Sequence, residues 1–306
     1  MSAITQKSLS PSAWAELLLL GLIWGGIFLA SRLALNEIGV LTLVAHRVFW
    51  ATLVLWAVVL MRRLPVPREP RVWGAFLVMG LLNNILPFAL LNWAQLSIES
   101  GLASIFNATT AIFGVVVAAL FFADERLSVR KALGVGLGFL GVATAIGLSN
   151  LTHLDPRNLA QLAAVAATLS YAFAGAWARA TLNGLSPQVA AAGMLTASSV
   201  MILPMAWSVE GPFDFALMPV TWGAIGFASL IATAGAYLLY YRLLAVAGSG
   251  NLLLVTLLIP PFAICLGWLV LGETVAPRAL IGFALLALGL AVIDGRVFRI
   301  FSAKPV

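Results

Sequence analysis

Apolar residues run along the chain in ten continuous stretches, at about 13–35, 39–61, 71–93, 101–123, 129–148, 158–180, 187–208, 219–243, 250–272 and 278–298. Each approaches the roughly 20 residues that a helix needs to cross the hydrocarbon core of a bilayer. The stretches are unbroken rather than alternating, which reads as helices and not as the strands of a membrane barrel. In hydrocarbon a spanning segment must satisfy its own backbone, which a helix does. Connections are short, and the longest, 62–70 (RRLPVPREP) and 209–218 (VEGPFDFALM), carry the Pro and Gly that end helices. Residues 149–157 (SNLTHLDPR) link two sets of five spans.

The two sets repeat one outline. A shift of 148 carries Glu125 onto Glu273, Arg130 onto Arg278, Gly134 onto Gly282 and Gly141 onto Gly289, with seven identities over positions 120–143. Apolar matches come cheaply in membrane spans, so the Glu, Arg and two Gly matches carry the argument. The same offset sets Pro87 opposite Gly235, and a one-residue slip sets Trp24 against Tyr171 and Arg32 against Arg179. Such duplication predicts an all-α integral membrane protein in which ten transmembrane helices form two repeats. Residues 1–148 and 158–306 are the repeats, the second with a short tail, in one membrane domain.

Composition sharpens this picture. The chain is 62% apolar and only 9% charged, with a mean hydropathy of +1.06, far from the quarter-charged average of soluble domains. The net charge of +6 does not point to nucleic acid, because the basic residues sit between spans. With the N-terminus placed inside, the inner segments hold 13 Lys and Arg and the outer ones Arg32, Arg157 and Arg278. The positive-inside rule then puts both termini in the cytoplasm. Five spans per repeat is odd, so the halves insert in opposite directions. Inverted repeats of this kind bind cargo near the midplane, in a central cavity between them. The first apolar run is long enough to span and has a partner in the second half, so it reads as a helix and not as a cleaved leader. The single cysteine, Cys265, excludes a disulfide framework and reads as a small buried apolar residue.

Candidate chemistry is sparse. His46 and Arg47 are the ionisable residues away from the span edges, and such groups are costly to keep. His46 faces either the cavity or a neighbouring helix; Arg47 reads as structural, paired with carbonyls or reaching for the interface. Pro87 has no N–H to offer the Asn83 carbonyl, so Asn83, Asn84 and a weak point in the helix converge in the third span. Gly235 marks the matching point in the eighth, with Tyr237 and Tyr241 following on one face, and Pro260-Pro261 act similarly in the ninth. Ser104, Asn107 and Thr110 form a small polar stripe in the fourth span, Asn251 opens the ninth, and Trp24 and Tyr171 are the aromatics that the repeat pairs. The expected substrate-binding set is therefore Trp24, His46, Asn83, Asn84, Asn107, Tyr171, Tyr237, Tyr241 and Asn251. The glycines of the fifth and tenth spans read as packing surfaces. No Ser/His/Asp set, HExxH or P-loop is present, so we expect no enzyme, no cofactor and no metal site.

Ten helices in two repeats, LIWGGIFLASRLAL opening the first, and a late-helix Glu followed by a Gly-paced helix resemble the drug/metabolite transporter (DMT) superfamily, in its EamA-type branch. The resemblance covers nearly the whole chain and is greatest to bacterial aromatic amino-acid exporters. It implies a basket of helices around a cavity, with the last helix of each repeat more peripheral, in the bacterial inner membrane. The small multidrug members carry an essential Glu in their first helix, where this chain has Trp24, which weakens a cationic-drug reading. Phosphorylated cargo needs cavity cations, of which Arg47 alone is available. The expectation is alternating-access export of small neutral or zwitterionic metabolites, amino acids and above all aromatic ones. Multidrug or quaternary-cation efflux and lipid handling are the alternatives. Partners are the bilayer and a small-molecule substrate, with no nucleic acid, and the chain is expected to work as a monomer.

Overall fold

The computed structural model describes residues 10–123, 128–147, 156–247 and 255–294. They form ten helices and no strand. The first five are α1 (Pro11–Ala34), α2 (Val40–Met61), α3 (Pro70–Ala94), α4 (Ser100–Phe121) and α5 (Val129–Ile146). The second five are α6 (Pro156–Thr181), α7 (Pro187–Glu210), α8 (Pro219–Leu243, running on to Ala247), α9 (Val255–Leu271) and α10 (Pro277–Asp294). Within the described residues eight are long and apolar enough to cross a membrane, and the described parts of α9 and α10 are shorter and apolar. The protein is an all-α membrane protein.

Local chemistry sets the helix ends. Six helices open on proline, whose fixed φ suits the first turn and whose missing N–H costs nothing there. Ser10 and Ser128 accept hydrogen bonds from Ala13 N and Lys131 N as N-caps of α1 and α5. Gly147, Gly211 and Gly272 adopt φ of +82°, +92° and +66° just past the ends of α5, α7 and α9, a conformation that costs a side-chain-bearing residue more.

Contacts between helix ends show the halves running oppositely. The C-terminal ends of α1, α3, α7 and α9 meet the N-terminal ends of α2, α4, α6 and α8 through Arg32–Gln95, Glu99–Arg157, Glu210–Thr42, Glu37–Thr221 and Glu273–Ser100. The start of α6 thus lies with the starts of α2 and α4, opposite the start of α1. We call this the Glu-capped end. At the other end Glu16 near the start of α1 pairs with Arg242 near the end of α8 at 2.8 Å.

Packing follows the duplication. α1 lies on α9 as α6 lies on α4, and α2 lies on α7. At the α2–α7 contact Thr52 Oγ1 and Ser199 Oγ, positions 147 apart and hence repeat mates, are 3.2 Å from each other. Residues that are each other's image can touch only on the pseudo-twofold axis, so the axis passes there. α5 and α10 pack on each other through glycines. A Cβ on Gly134 would stand 2.6 Å from the Gly289 carbonyl oxygen, and one on Gly141 would stand 2.6 Å from that of Gly282. Only hydrogen allows backbones that close. Large apolar side chains such as Leu120, Phe121, Val200 and Trp268 are exposed, as a surface in hydrocarbon requires.

Candidate functional site

Two helices are interrupted, at positions the duplication pairs. In α3, Leu81–Ile85 winds as a π-helix, and Leu86 N–H donates to the Leu81 carbonyl five residues back. In α8, Phe227–Gly235 does the same over nine residues, and Ala236 N–H reaches Ile231. A shift of 148 carries 81–85 onto 229–233, within the second stretch. The cause in α3 is Pro87, which lacks a donor and crowds the preceding turn, so the helix widens just upstream. In α8 the widened turn is held partly by a side chain: Thr233 Oγ1 donates to the Ala228 carbonyl at 2.8 Å.

Widened turns leave carbonyls for outside donors, and here each donor comes from the first helix of the opposite half. Ser170 Oγ of α6 donates to the Leu82 carbonyl at 2.7 Å, and Trp24 Nε1 of α1 donates to the Ala232 carbonyl at 3.2 Å. Sequence reasoning put the open carbonyl on Asn83, whereas the cross-helix donors reach Leu82 and Ala232. The π-helix moves the gap because it displaces the whole ladder by one residue.

Between the two stretches lies a polar cluster. Asn84 is fully buried; its Nδ2 donates to Ser198 Oγ of α7 at 2.8 Å, and its Oδ1 accepts from Tyr237 OH at 3.3 Å. Asn83 is half-buried, with Nδ2 3.3 Å from Tyr237 OH and 3.5 Å from Met194 Sδ. Arg47 completes the group: its Nε donates to Thr233 Oγ1 at 2.9 Å, and its guanidinium carbon stands 3.6 Å above the centre of the Phe88 ring. Tyr171 and Tyr237 are its electrostatic neighbours. Tyr171 packs against both large core clusters and so sits at the seam between them. Tyr241 lies one turn beyond Tyr237, with ring centres 6.4 Å apart, and lines a cavity of about 190 Å³ with Met79, Leu182, Pro187 and Met194. That cavity lies by the α6–α7 connection, away from the Glu-capped end, and reaches the cluster through Met194.

Other expected residues lie elsewhere. His46 is buried near the Glu-capped end among Phe213, Phe215 and Trp222, accepting from Trp50 Nε1 at Nδ1 (3.2 Å). Its ring leaves α2 about 100° around the helix from the side chain of Arg47 and so meets these rings instead of the cluster. Its one hydrogen bond stays within its own helix, so the expected choice of cavity or neighbouring helix is resolved by neither. Asn107 makes no side-chain hydrogen bond to the cluster among the described residues; its carbonyl accepts from Thr110 Oγ1 at a tight turn that breaks α4 at Ala108-Thr109. Asn251 falls outside the described residues, as does Glu125. α9 stays α-helical through Pro260-Pro261 over its described residues, so the interruption expected there does not form. Cys265 is exposed rather than buried, since Ile259 and Ala263 hold the inward face of α9.

The Glu-capped end is closed by carboxylates on helix N-termini. Glu210 accepts from Leu41 N and Thr42 N (2.9 and 2.8 Å), Glu37 from Met218 N (3.0 Å) and Thr221, and Glu273 from Ser100 N and Oγ (2.9 and 2.5 Å). Each joins one half to the other and places negative charge where a helix start favours it.

Sequence reasoning read Arg47 as structural, without its partners Thr233 and Phe88, and passed over Ser198 and Met194. Arg47 sits at the right depth in α2, but nothing in its own span reveals the ring and hydroxyl that hold it. Met194 and Ser198, four apart on α7, had the spacing of one helix face and were the available signal.

The EamA-like transporter family model matches the chain twice, over residues 13–147 and 158–294. Among relatives, a probable terminal-alkyne amino-acid exporter of Streptantibioticus cattleyicolor is 29% identical, over 94% of this chain and 95% of its own length. An uncharacterized transporter of Bacillus subtilis, YoaV, is 22% identical over 88% and 92% of the two chains. An uncharacterized transporter of Archaeoglobus fulgidus is 23% identical over 92% and 98%. A solved crystal structure superposes with a TM-score of 0.67 at 18% identity, covering 92% of this chain and 97% of that one, which bears on the fold alone.

Proposed function

The chain belongs to the EamA-like transporter family and is a multi-pass membrane transporter, and from that premise we propose that it exports small neutral or zwitterionic metabolites by alternating access, amino acids first and aromatic ones among them. The observation that carries the reading is the meeting of two interrupted helices, one from each half, around amide, phenol and hydroxyl groups. Interrupted helices at the repeat interface are where inverted-repeat transporters bind cargo. Asn83 and Tyr237 offer hydrogen bonds to an ammonium or amide, while Phe88, Tyr171 and Tyr241 offer faces to an apolar side chain. The relative named as a probable amino-acid exporter supports both the cargo class and the direction.

The cavity beside Tyr241 is the loading vestibule in this reading. If the termini are cytoplasmic, as the basic residues indicate, it opens to the cell interior, and the Glu-capped end is the closed outer gate. Quaternary-cation efflux fits less well, because Arg47 places a fixed positive charge in the site.

The test is counterflow in proteoliposomes carrying the purified protein, against the twenty amino acids, tetraphenylphosphonium and a fluorescent phospholipid. Exchange of amino acids with aromatic ones favoured is the expected result. Movement of the phosphonium or the lipid without any amino acid would replace this reading with one of the other two.

A further inference from the structure

Among the described residues, Arg47 is a cation with no anionic partner. Among the described residues the carboxylates nearest to membrane depth are already engaged: Glu16 by Arg242, Glu99 by Arg157, and Glu37, Glu210 and Glu273 by helix N-termini. Arg47 uses Nε for Thr233 and its ring-facing plane for Phe88, and both of these residues are buried. Its terminal nitrogens, Nη1 and Nη2, hydrogen-bond to no described group, and neither is among the polar atoms sealed away from solvent. Arg47 is only partly buried, so both are left for a partner that the described residues do not supply.

We infer that this guanidinium is the anion-binding group of the site and that the cargo carries a carboxylate, an inference that rests on the transporter reading proposed above and narrows its substrate class. Three points of chemistry support it. An ionised group within a membrane bundle is kept at a cost, and a partner that arrives with the cargo offsets that cost on each cycle. The terminal N–H groups of an arginine match the two oxygens of a carboxylate, and the contacts that lock the plane use neither terminal nitrogen. Thr233 and Phe88 are bound to the two interrupted helices, so Arg47 spans both moving parts and a carboxylate on it bears on both at once. The adjoining Asn83 carbonyl oxygen and Tyr237 hydroxyl then stand ready for the ammonium of the same molecule.

An arginine that merely braces α2 against α3 and α8 predicts different behaviour, because a brace does not distinguish acid from amide. In proteoliposomes, counterflow of each of the twenty L-amino acids is competed by its own carboxamide, which keeps the ammonium and side chain and removes the negative charge. The expected result is that wild type prefers the acid by about 10- to 100-fold, the range of a hydrogen bond to a charged group. In Arg47→Gln, reconstituted at equal protein, the preference falls to near one. In Arg47→Lys it persists in reduced form, since the charge remains while the fork is gone. Equal handling of acid and amide by wild type, or a preference that survives in Arg47→Gln, overturns the inference while leaving amino-acid transport in place. If Arg47→Gln fails to insert, the wild-type ratio and Arg47→Lys decide. The absence of any amino-acid exchange by wild type overturns the functional reading, and this inference with it.

Discussion

Adjacent amides in one π-turn have come to different employments. Asn84 is sealed between Ser198 and Tyr237, whereas Asn83 is half open beside Met194, at the inner end of the cavity. Asn84→Ala therefore strips a partner from the buried Ser198 hydroxyl and another from the half-buried Tyr237 hydroxyl, and should cost about 1–3 kcal/mol of stability, read as a lower melting midpoint in detergent. Asn83→Ala should leave the midpoint nearly unchanged and raise the half-saturating amino-acid concentration roughly 5- to 30-fold in counterflow. Parallel losses in both variants would assign both residues to packing. The chain showed that these amides matter, because Pro87 next to them announces an interrupted helix at a depth where polar groups are expensive. It did not show which amide is sealed, since that depends on whether α7 or the cavity lies across from each. The same blindness hid the partners of Arg47, Phe88 and Thr233, which are 41 and 186 positions away along the chain.

At the scale of the helix, each interruption is tied down by the first helix of the other half. Trp24→Phe removes the donor to Ala232 and Ser170→Ala removes the donor to Leu82, so each leaves a buried carbonyl short of a partner. We expect each to lower stability by about 1–3 kcal/mol, and to make the amides of 81–86 or 231–236 exchange hydrogen faster, with only the stretch that lost its donor affected. Exchange that stays flat in both would mean the widened turns hold themselves. Ten helices were legible because apolar runs of spanning length have few other solutions, and the edges that fall on described residues lie within a few residues of those expected. The interruption in α3 was legible from proline chemistry. The nine-residue one in α8 was only hinted at by Gly235, because no residue there forbids an ordinary helix and tertiary contacts decide. The prolines of α9 misled, since Val255–Leu271 runs on as an ordinary helix through both.

For the whole molecule, the duplication foretold the architecture, and the charge asymmetry predicts its orientation. In a Cys265→Ser background, Asp214→Cys at the Glu-capped end should react with an impermeant maleimide from outside intact cells, and Arg63→Cys at the other end only after lysis. The reverse pattern would invert the transport model along with the topology. The contact between α5 and α10 carries a different consequence. Each glycine notch is filled by the backbone of the opposite half, Gly134 by Gly289 and Gly141 by Gly282, and the arrangement is unchanged when the halves exchange roles. The peptide bond between the halves is then a convenience of synthesis. Co-expressed as separate polypeptides, residues 1–147 and 158–306 should find each other in the membrane and restore export to a strain lacking the intact protein. Gly134→Leu on one fragment should abolish that rescue, and a gene for either half alone should yield none.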